Sequence, residues 1–428
     1  MNNVCIIGCG HVGLVTGASL AELGNKVICI DNNAHVIDGL KEGKMPFYEP
    51  GLEELVHRNT NNGRLSFTTS IEEGVKASEI IFIAVGTPQK LDGTADMTLV
   101  EAVTREISQT IDEYKVVVEK STVPVKTGKW ISKKLNSNRD VNCDVVSNPE
   151  FLREGSALND FMNPDRIVIG TSSERAIRIM TELYRPLKAP IIITNIETAE
   201  LIKHASNCFL ALKISFINAV ATICEKTGGD VVKVAEGMGH DRRIGQAFLN
   251  AGVGYGGSCL PKDLAAFIKI AEDVGYDFQL LKAARKINDF QQQQIIDKAR
   301  RQLHTLTGKI IGILGISFKP HTDDIREAPA IHIVEKLQEA GAMVKVYDPQ
   351  AMKKAREALV DVEYCQNPYE VAEGCDALII ITEWDEFRNL DLKRIKLLLR
   401  QPIIIDGRNI YDPQEMKKLG FTYCGTGR

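Results

Sequence analysis

The stretch Gly8-Cys9-Gly10-His11-Val12-Gly13 decides how the first part of this chain folds. It follows an apolar run at residues 4–7 and opens a helical pattern, and Asp31 stands at the end of the next apolar run. Glycines at these positions allow a tight turn and let the backbone approach a pyrophosphate, which then lies at the positive N-terminus of the helix. The stretch predicts a dinucleotide-binding unit with contacts from Gly8, Gly10, Val12 and Gly13.

Asp31 predicts which dinucleotide binds. A carboxylate at the end of the second strand accepts hydrogen bonds from the ribose diol and repels a 2′-phosphate. The following Asn32-Asn33 supplies no arginine that would reverse this preference. We therefore expect NAD as the cofactor rather than NADP.

Apolar runs alternate with amphipathic stretches through the first third of the chain, at residues 4–7, 27–30, 80–85, 116–119, 144–147 and 167–170. This alternation is typical of a parallel sheet with helices on both faces. The pattern is helical from about 197 to 302, with a long run at 199–227, and strand signals return at 310–313, 344–347, 377–381 and 403–405. We predict an α/β protein with two Rossmann-like, doubly wound parallel-sheet domains, 1–196 and 303–428, joined by a central helical domain, 197–302, with a long connecting helix.

The two sheet domains begin alike. Gly24 precedes a predicted strand that ends at Asp31, and Gly341 precedes one that ends at Asp348, so both gaps are seven residues. A glycine that ends a helix, a short strand and a terminal acid are what a mononucleotide-binding unit needs. The spacing indicates two nucleotide pockets, one in each sheet, although two scaffolds of which only one binds a nucleotide fit the same pattern.

The composition limits the classes of partner. The chain of 428 residues is 44% hydrophobic and 25% charged with a formal net charge of -4, and so lacks the basic field that nucleic acid binding requires. Its ten cysteines form no CxxC pair and no metal-ligand spacing, and its N-terminus has no targeting segment or membrane span. We expect a cytoplasmic protein without a metal, in which each cysteine is structural by default.

Two polar turns follow predicted strands. Gly86-Thr87-Pro88 comes after the run at 80–85, and Ser121-Thr122-Val123-Pro124 comes after the run at 116–119. Ligands bind at the carboxyl ends of strands in open sheets, which makes Thr87 and Thr122 candidate cofactor contacts. Taken alone, either turn is equally typical of a plain connection.

A glycine-rich segment in the helical middle carries the candidate nucleophile. Gly254-Tyr255-Gly256-Gly257-Ser258-Cys259-Leu260-Pro261-Lys262-Asp263 leads into an apolar-periodic run at 264–274. Proline is tolerated in a first helical turn, so Cys259 should lie at a helix N-terminus beside Lys262. Both influences stabilise a thiolate, which makes Cys259 the cysteine most suited to catalysis.

Taken together and in this order, the motifs resemble the UDP-glucose/GDP-mannose dehydrogenase family nearly from end to end. The likeness also rests on residues 148–155 (Asn-Pro-Glu-Phe-Leu-Arg-Glu-Gly), on 200–203 (Glu-Leu-Ile-Lys) with Asn207, and on Phe318-Lys319 with 324–327 (Asp-Ile-Arg-Glu). The resemblance implies a two-step, four-electron oxidation of UDP-glucose to UDP-glucuronate with NAD, and a C-terminal domain that binds the nucleotide sugar.

The resemblance implies a covalent mechanism. Cys259 would add to the sugar aldehyde formed by the first oxidation, because an aldehyde has no hydride to give until something adds to it. The thioester formed by the second oxidation would then be hydrolysed. Glu150 would act in this hydrolysis, and Thr122 would assist through a water network.

Three further residues are given supporting roles by the resemblance. Lys203 would stabilise oxyanions, Asn207 would donate a hydrogen bond, and Asp263 would position or deprotonate a water. Independently of the family, Lys203 and Asn207 are four residues apart and share a helix face. Such a pair alone is more typical of a solvated face.

The remaining matched positions contact the two ligands. On the cofactor side they are Glu154, Lys262 and Arg326. On the substrate side they are Phe151, Leu152, Arg153, Glu154, Lys203, Asn207, Arg243, Phe248, Asn250, Gly252, Tyr255, Gly256, Phe318, Lys319 and Arg408. Arg243 matches an arginine that reaches the substrate of the neighbouring subunit, which implies a homodimer built on the helical middle. For Arg242 simple solvation is the better interpretation.

Two positions depart from the family pattern. His11 stands where an aromatic residue such as tyrosine is more frequent, and we expect a surface residue rather than a proton carrier. His35-Val36 stands where a lysine or arginine is frequent, so we expect the adenosine side of NAD to be bound more weakly or in a different arrangement.

Three alternatives remain open from the sequence. The same chemistry on GDP-mannose or a UDP-N-acetylhexosamine is the nearest. A non-redox protein that binds nucleotide sugars would use the dinucleotide fold only as a scaffold. A simple alcohol dehydrogenase would stop at the aldehyde and would not need Cys259.

Overall fold

The computed structural model describes residues 1–137 and 143–428. The chain forms two compact units, one of Met1–Ser206 with Ala265–Val274 and the other of Asn207–Leu264 with Gly275–Arg428. Each unit contains one sheet.

The first unit is built on short strands that alternate with helices. Its strands are β1 (Asn3–Ile7), β2 (Lys26–Ile30), β3 (Leu65–Thr68), β4 (Ile80–Ile83), β5 (Val116–Glu119), β6 (Asp144–Ser147), β7 (Ile167–Gly170) and β8 (Ile191–Thr194). Its helices are α1 (His11–Glu22), α2 (Ala34–Lys41), α3 (Leu52–Asn61), α4 (Ile71–Ala77), α5 (Thr98–Thr110), α6 (Thr127–Leu135), α7 (Ala157–Met162) and α8 (Glu174–Tyr184), followed by a 3-10 turn at Arg185–Leu187.

The strand order of this first sheet is β3-β2-β1-β4-β5-β6-β7-β8 over the described residues. Neighbouring strands are parallel except β6 and β7, which pair antiparallel through Ser147 and Gly170. The chain adds β2 and β3 on one side of β1 and then crosses over to add β4 on the other side, so the order of strand addition reverses between β1 and β4. A doubly wound sheet binds ligands at this switch point, beyond the carboxyl ends of its strands. The predicted sheet is confirmed, with β7 and β8 antiparallel to the rest.

Alternate residues of a strand point to opposite faces, and both faces of this sheet are covered. In β1, Val4 and Ile6 belong to one buried apolar cluster while Cys5 and Ile7 belong to another. This is why the sequence shows continuous apolar runs rather than alternation.

Four helices follow the first sheet in the chain: α9 (Ile196–Thr227), α10 (Val231–Gly239), α11 (Leu260–Asp273) and α12 (Gln279–Leu303). The predicted central helical region with a long helix is confirmed. α9 is long and apolar enough to cross a membrane, but the core helix of a soluble protein can have the same length and composition. In the most apolar 18-residue stretch of α9, 44% is buried inside the protein.

The second unit carries the second sheet. Its strands are β9 (Ile310–Leu314), β10 (Met343–Tyr347), β11 (Val362–Tyr364), β12 (Ala377–Ile380), β13 (Ile403–Asp406) and β14 (Thr422–Gly425). Its remaining helices are α13 (Pro329–Glu339), α14 (Met352–Ala358), α15 (Pro368–Ala372), α16 (Asp385–Arg388), α17 (Leu392–Leu398) and α18 (Pro413–Leu419). The order is β11-β10-β9-β12-β13-β14, with all pairs parallel.

Candidate active site

The turn between β1 and α1 fits a dinucleotide. Gly8 has a φ of +107°, and a side chain there would come within 2.6 Å of the carbonyl oxygen of Ala84. A side chain on Gly13 would collide with the carbonyl oxygen of Gly8, whereas one on Gly10 would meet open space. Gly10 caps α1 without a side chain. The backbone is therefore bare where a pyrophosphate would meet the helix N-terminus.

Asp31 lies directly after β2, beside this turn. Its two oxygens accept hydrogen bonds from the backbone N–H groups of Cys9 (2.9 Å) and Asn33 (3.0 Å). An ionised carboxylate has further lone pairs, so Asp31 retains the capacity to accept bonds from a ribose diol.

The expectation that His11 is a surface residue is wrong. Its Nε2 lies 2.8 Å from the Glu49 carboxylate, its ring stacks on Phe47 with 4.0 Å between centroids, and only 15% of its side chain is exposed. Glu49 also accepts from the N–H groups of Gly155 (2.7 Å) and Ala157 (2.8 Å). The burial arises because the segment before α3 folds over the start of α1.

The two polar turns that follow β4 and β5 lie side by side because these strands are neighbours. The Thr87 hydroxyl donates to the backbone oxygen of Thr122 at 2.8 Å, and the Ser121 hydroxyl donates to that of Val85 at 2.8 Å. The turns are therefore bonded to each other at the carboxyl edge of the sheet, where a cofactor would lie.

Glu150 and Lys203 form a buried ion pair in the first unit. Lys203 Nζ lies 2.8 Å from Glu150 Oε1, and both side chains are about 5% exposed. Glu150 Oε2 also accepts from the N–H of Leu152 at 2.5 Å. Phe151 lies between two cations, with the Arg166 guanidinium 3.5 Å and Lys203 Nζ 5.6 Å from its ring centroid. A buried ion pair of this kind holds both side chains in fixed positions.

Cys259 lies directly before α11, as predicted. Its carbonyl oxygen accepts the N–H of Asp263 at 2.9 Å, so it is the residue that opens the helix, and Pro261 falls in the first turn. Its Sγ lies 3.5 Å from the Ser258 hydroxyl. Cys259 is partly exposed, whereas most of the ten cysteines are buried.

Asp263 connects the start of α11 to α9. Its Oδ2 accepts from the Asn207 amide at 2.5 Å and its Oδ1 from Lys262 Nζ at 2.6 Å. Asp263 is 1% exposed and Asn207 is 8% exposed. The structure therefore brings three predicted residues, Asn207, Lys262 and Asp263, together at the start of α11, the helix that Cys259 opens.

The loop at 248–257 packs closely on the second sheet, within the same unit. A side chain on Gly252 would come within 2.7 Å of the Gly407 backbone oxygen, and one on Gly257 within 2.7 Å of the Phe318 ring. Arg408 donates to the backbone oxygens of Ile381 (2.6 Å), Gly254 (3.3 Å) and Phe318 (3.4 Å). Arg408 thus fixes the positions of this loop and of the turn after β9.

Asp348 does not serve the second sheet as Asp31 serves the first. Its carboxylate is 1% exposed and accepts from the N–H groups of Ile316, Ser317, Gln350 and Ala351, from the Ser317 hydroxyl and from the Trp384 indole. No room is left for a ribose diol, because six donors already use the lone pairs. The equal spacing from glycine to acid therefore does not indicate equal nucleotide contacts.

The predicted site residues divide between the two units. The first holds Gly8, Gly10, Val12, Gly13, Asp31, Thr87, Thr122, Glu150, Phe151, Leu152, Arg153, Glu154 and Lys203. The second holds Asn207, Arg243, Phe248, Asn250, Gly252, Tyr255, Gly256, Cys259, Lys262, Asp263, Phe318, Lys319, Arg326 and Arg408.

Three predicted arginines are engaged by neighbouring aspartates. Arg153 pairs with Asp160 (2.5 Å), Arg243 with Asp241 (2.6 Å) and Arg326 with Asp324 (2.6 Å). More than half of each arginine side chain is exposed, so these pairs are weak and leave the guanidinium groups accessible to a ligand.

Two polar groups that the sequence analysis did not single out support the site. Glu49 binds the segment after Glu154, as described above. Lys120 is 5% exposed and donates to the side chain and backbone oxygens of Asn148. A lysine at the end of a predicted strand gives no sign in the sequence of whether it is buried. Over residues 1–137 and 143–428, no group of three His, Cys, Asp or Glu side chains is placed to hold a metal ion.

Comparison with known protein families gives three matches along the chain. Residues 2–188 match the NAD binding domain, residues 197–290 the central domain and residues 312–413 the UDP binding domain of the UDP-glucose/GDP-mannose dehydrogenase family. The fold and the bare dinucleotide turn thus define an NAD-dependent oxidoreductase. The chain belongs to the UDP-glucose/GDP-mannose dehydrogenase family.

Individual relatives cover the whole chain. The UDP-glucose 6-dehydrogenase TuaD of Bacillus subtilis (strain 168) is 49% identical over 100% of this chain and 94% of its own length. The solved UDP-glucose dehydrogenase of Pyrobaculum islandicum is 40% identical with a TM-score of 0.94, covering 100% of this chain and 98% of that one. The UDP-D-ManNAc dehydrogenase of Pyrococcus horikoshii is 28% identical with a TM-score of 0.88, covering 99% of each.

Proposed function

We propose that this chain oxidises UDP-glucose to UDP-glucuronate in two NAD-dependent steps, with Cys259 as the covalent nucleophile. The observation that carries the proposal is the position of Cys259 at the start of α11, where Asp263 is bound by both Asn207 and Lys262. A helix N-terminus favours the negative charge of a thiolate.

Two molecules of NAD would each take up one hydride, the first from the alcohol carbon and the second from the thiohemiacetal carbon, and each oxidation also releases the hydroxyl proton. Between these events the Cys259 sulfur forms a bond to the aldehyde carbon, and the aldehyde oxygen takes a proton. Water then attacks the thioester, the carbon–sulfur bond breaks, and the carboxylate and the free thiol are released.

The buried polar groups take the other roles. The Lys203 ammonium stabilises the oxyanions that develop on the sugar, because a fixed charge in a dry site is worth more than one in water. Glu150, held by Lys203, acts in the thioester hydrolysis. Asn207 and Asp263 bind each other and so are placed to hold a water or a substrate oxygen, and Thr122 supports the water network.

UDP-glucose is the proposed substrate because the identity to the UDP-glucose 6-dehydrogenase relatives (41–49%) is well above that to the UDP-D-ManNAc enzyme (28%). The division into an NAD-binding part (1–196), a helical part (197–302) and a nucleotide-sugar-binding part (303–428), and a location in the cytoplasm, belong to the same proposal.

A homodimer built on α9 is also part of the proposal. Phe209, Phe216 and Ile223 recur every seven residues on this helix and are 61%, 50% and 60% exposed. Apolar side chains at this spacing lie along one face of a helix, and such a face is buried in a helix–helix interface. Light scattering should show a dimer that Phe216→Asp dissociates, whereas Leu397→Asp, at an exposed leucine on α17, should leave it intact.

The function is tested by product stoichiometry across a panel of nucleotide sugars. With limiting UDP-glucose and excess NAD, we expect two NADH per sugar and UDP-glucuronate as the product. A yield of one NADH per sugar would show an enzyme that stops at the aldehyde. A higher kcat/KM for GDP-mannose or a UDP-N-acetylhexosamine would overturn the substrate assignment and leave the chemistry in place.

A further inference from the structure

Lys120 is a buried cation in the first unit to which the mechanism above gives no role. It lies directly after β5, and its Nζ donates to the side-chain oxygen (3.0 Å) and the backbone oxygen (3.3 Å) of Asn148. Its ammonium also lies 6.0 Å from the centre of the Tyr184 ring. Burying an ammonium group costs free energy unless hydrogen bonds or opposite charges in the protein replace its lost water, so the burial of Lys120 needs an explanation.

Asn148 is bonded through all of its polar groups. Its backbone N–H donates to Glu119 (2.9 Å), its side-chain amide donates to the Val168 oxygen (2.7 Å), and its Oδ1 accepts from the Tyr184 hydroxyl (2.6 Å) as well as from Lys120. It is 1% exposed. Asn148 is therefore fixed in place by β5, β7 and α8 and by Lys120, which follows β5.

Because Asn148 is held in place, the backbone of Glu150, two residues later, is held in place as well. Only Pro149 separates the two, and the proline ring locks its own φ. Glu150 then meets Lys203 at 2.8 Å. The connection runs from Lys120 through Asn148 and Pro149 to the backbone of Glu150, and Lys203 and the N–H of Leu152 then hold its carboxylate.

The charges around Lys120 agree with this arrangement. Burial lowers the pKa of Lys120 to about 8, while Glu150 and Glu119 act to raise it and Lys203 acts to lower it. Burial, reinforced by the Glu200 charge, holds the pKa of Glu119 well above its usual value. Glu150 thus contacts Lys203 directly and acts electrostatically on Lys120.

We propose that Lys120 is a positioning residue for thioester hydrolysis: it holds Asn148, and through it the Glu150 carboxylate, in the place from which Glu150 acts. This inference rests on the proposed function, because it requires a thioester on Cys259. A role limited to stabilising the pairing of β5 with β6 would slow all steps alike or only lower stability.

The test compares Lys120→Met with Glu150→Gln and with Tyr184→Phe, which removes a second hydrogen bond to Asn148 at almost constant volume. Stopped-flow absorbance follows the first NADH formed, and the intact mass of the quenched protein reports a covalent sugar adduct. Thermal unfolding and NAD titration check that each variant folds and binds cofactor.

For Lys120→Met we expect kcat for UDP-glucuronate to fall on the order of 100-fold while the first NADH forms at nearly the parent rate and the adduct accumulates. Tyr184→Phe should show the same pattern with a smaller fall. The inference is overturned if Glu150→Gln accumulates the adduct while Lys120→Met and Tyr184→Phe do not. If Glu150→Gln accumulates none either, the role of Glu150 in the proposed function fails together with this inference. If Lys120→Met does not fold, the Tyr184→Phe result decides.

Discussion

The amide of Asn207 donates to Asp263 Oδ2 across 2.5 Å, and both side chains are buried. The backbone N–H of Asp263 donates in turn to the carbonyl oxygen of Cys259 at 2.9 Å. The first turn of α11, with Cys259 at its start, is therefore tied to α9. Loss of either partner would leave a buried polar group without its bond, which costs more than the bond itself contributes.

The Asn207–Asp263 pair should act as a unit. We expect Asn207→Ala and Asp263→Ala each to lower kcat by about 100-fold. The double variant should lose little more than the worse single variant, because residues in contact are not additive. Steady-state kinetics of the four proteins measures this, with Thr222→Ala on α9 as a control that keeps parent activity. Full additivity would mean that the two residues serve separate steps.

Substitutions at two glycines of the dinucleotide turn should distinguish an effect on cofactor binding from an effect on stability. Gly10→Ala meets open space, so it should unfold like the parent but bind NAD about tenfold more weakly, since its methyl group lies where the pyrophosphate approaches. Gly13→Ala collides with the Gly8 backbone and should cost about 1–3 kcal/mol of stability. Thermal unfolding and calorimetric NAD titration distinguish the two. Equal effects of both changes would refute this reading of the turn.

Arg243 is 88% exposed, as a residue that reaches a neighbouring subunit should be. If it serves the partner's site, co-expressed Arg243→Ala and Cys259→Ala chains should complement each other. In a mixed dimer, one site then has an intact Cys259 and receives an intact arginine from the other subunit. Random pairing predicts recovery of about one quarter of the parent activity. Activity no higher than the mean of the two separate variants would place Arg243 in its own subunit's site, or in none.

Glu119 should make stability depend on pH. Burial raises its pKa in the folded protein, and the described residues offer its Oε1 no hydrogen-bond donor. A carboxyl group whose pKa is raised in the folded protein stabilises the fold fully only when the pH is below the pKa of the unfolded chain, near 4.5. This stabilisation of the fold is lost as the pH rises. Between pH 5.5 and 8.0 the melting temperature of the parent should therefore fall more than that of Glu119→Gln. Exposed Glu106→Gln should behave like the parent. Parallel curves for all three proteins would contradict the assignment.

The sequence predicted the strands of the sheet centres with most of their bounds. The runs at 116–119, 144–147 and 167–170 coincide with β5, β6 and β7. These strands lie inside a sheet that is covered on both faces, so they are continuously apolar. The strands that were missed, β3, β8, β11 and β14, all lie at sheet edges. Polar residues interrupt the apolar signal in β3, β11 and β14, whereas β8 starts with three isoleucines that are partly exposed.

The site was predictable where chemistry depends on local sequence and less so where it depends on packing. Cys259 at a helix start and the bare turn at Gly10 followed from glycine and proline positions. The burial of Lys120 and of His11, and the saturation of Asp348, depend on segments distant in sequence. Identical spacing from glycine to acid in the two sheets therefore could not tell Asp31, which retains free lone pairs, from Asp348.

Formation of UDP-glucuronate by Cys259→Ala tests the central claim most directly. The variant is compared with the parent and with Cys224→Ala, which changes a buried cysteine on α9 away from the site. The covalent scheme predicts that Cys259→Ala forms the acid at least about 1,000-fold more slowly, while Cys224→Ala matches the parent. Acid formation by Cys259→Ala at the parent rate would contradict a thioester on this residue.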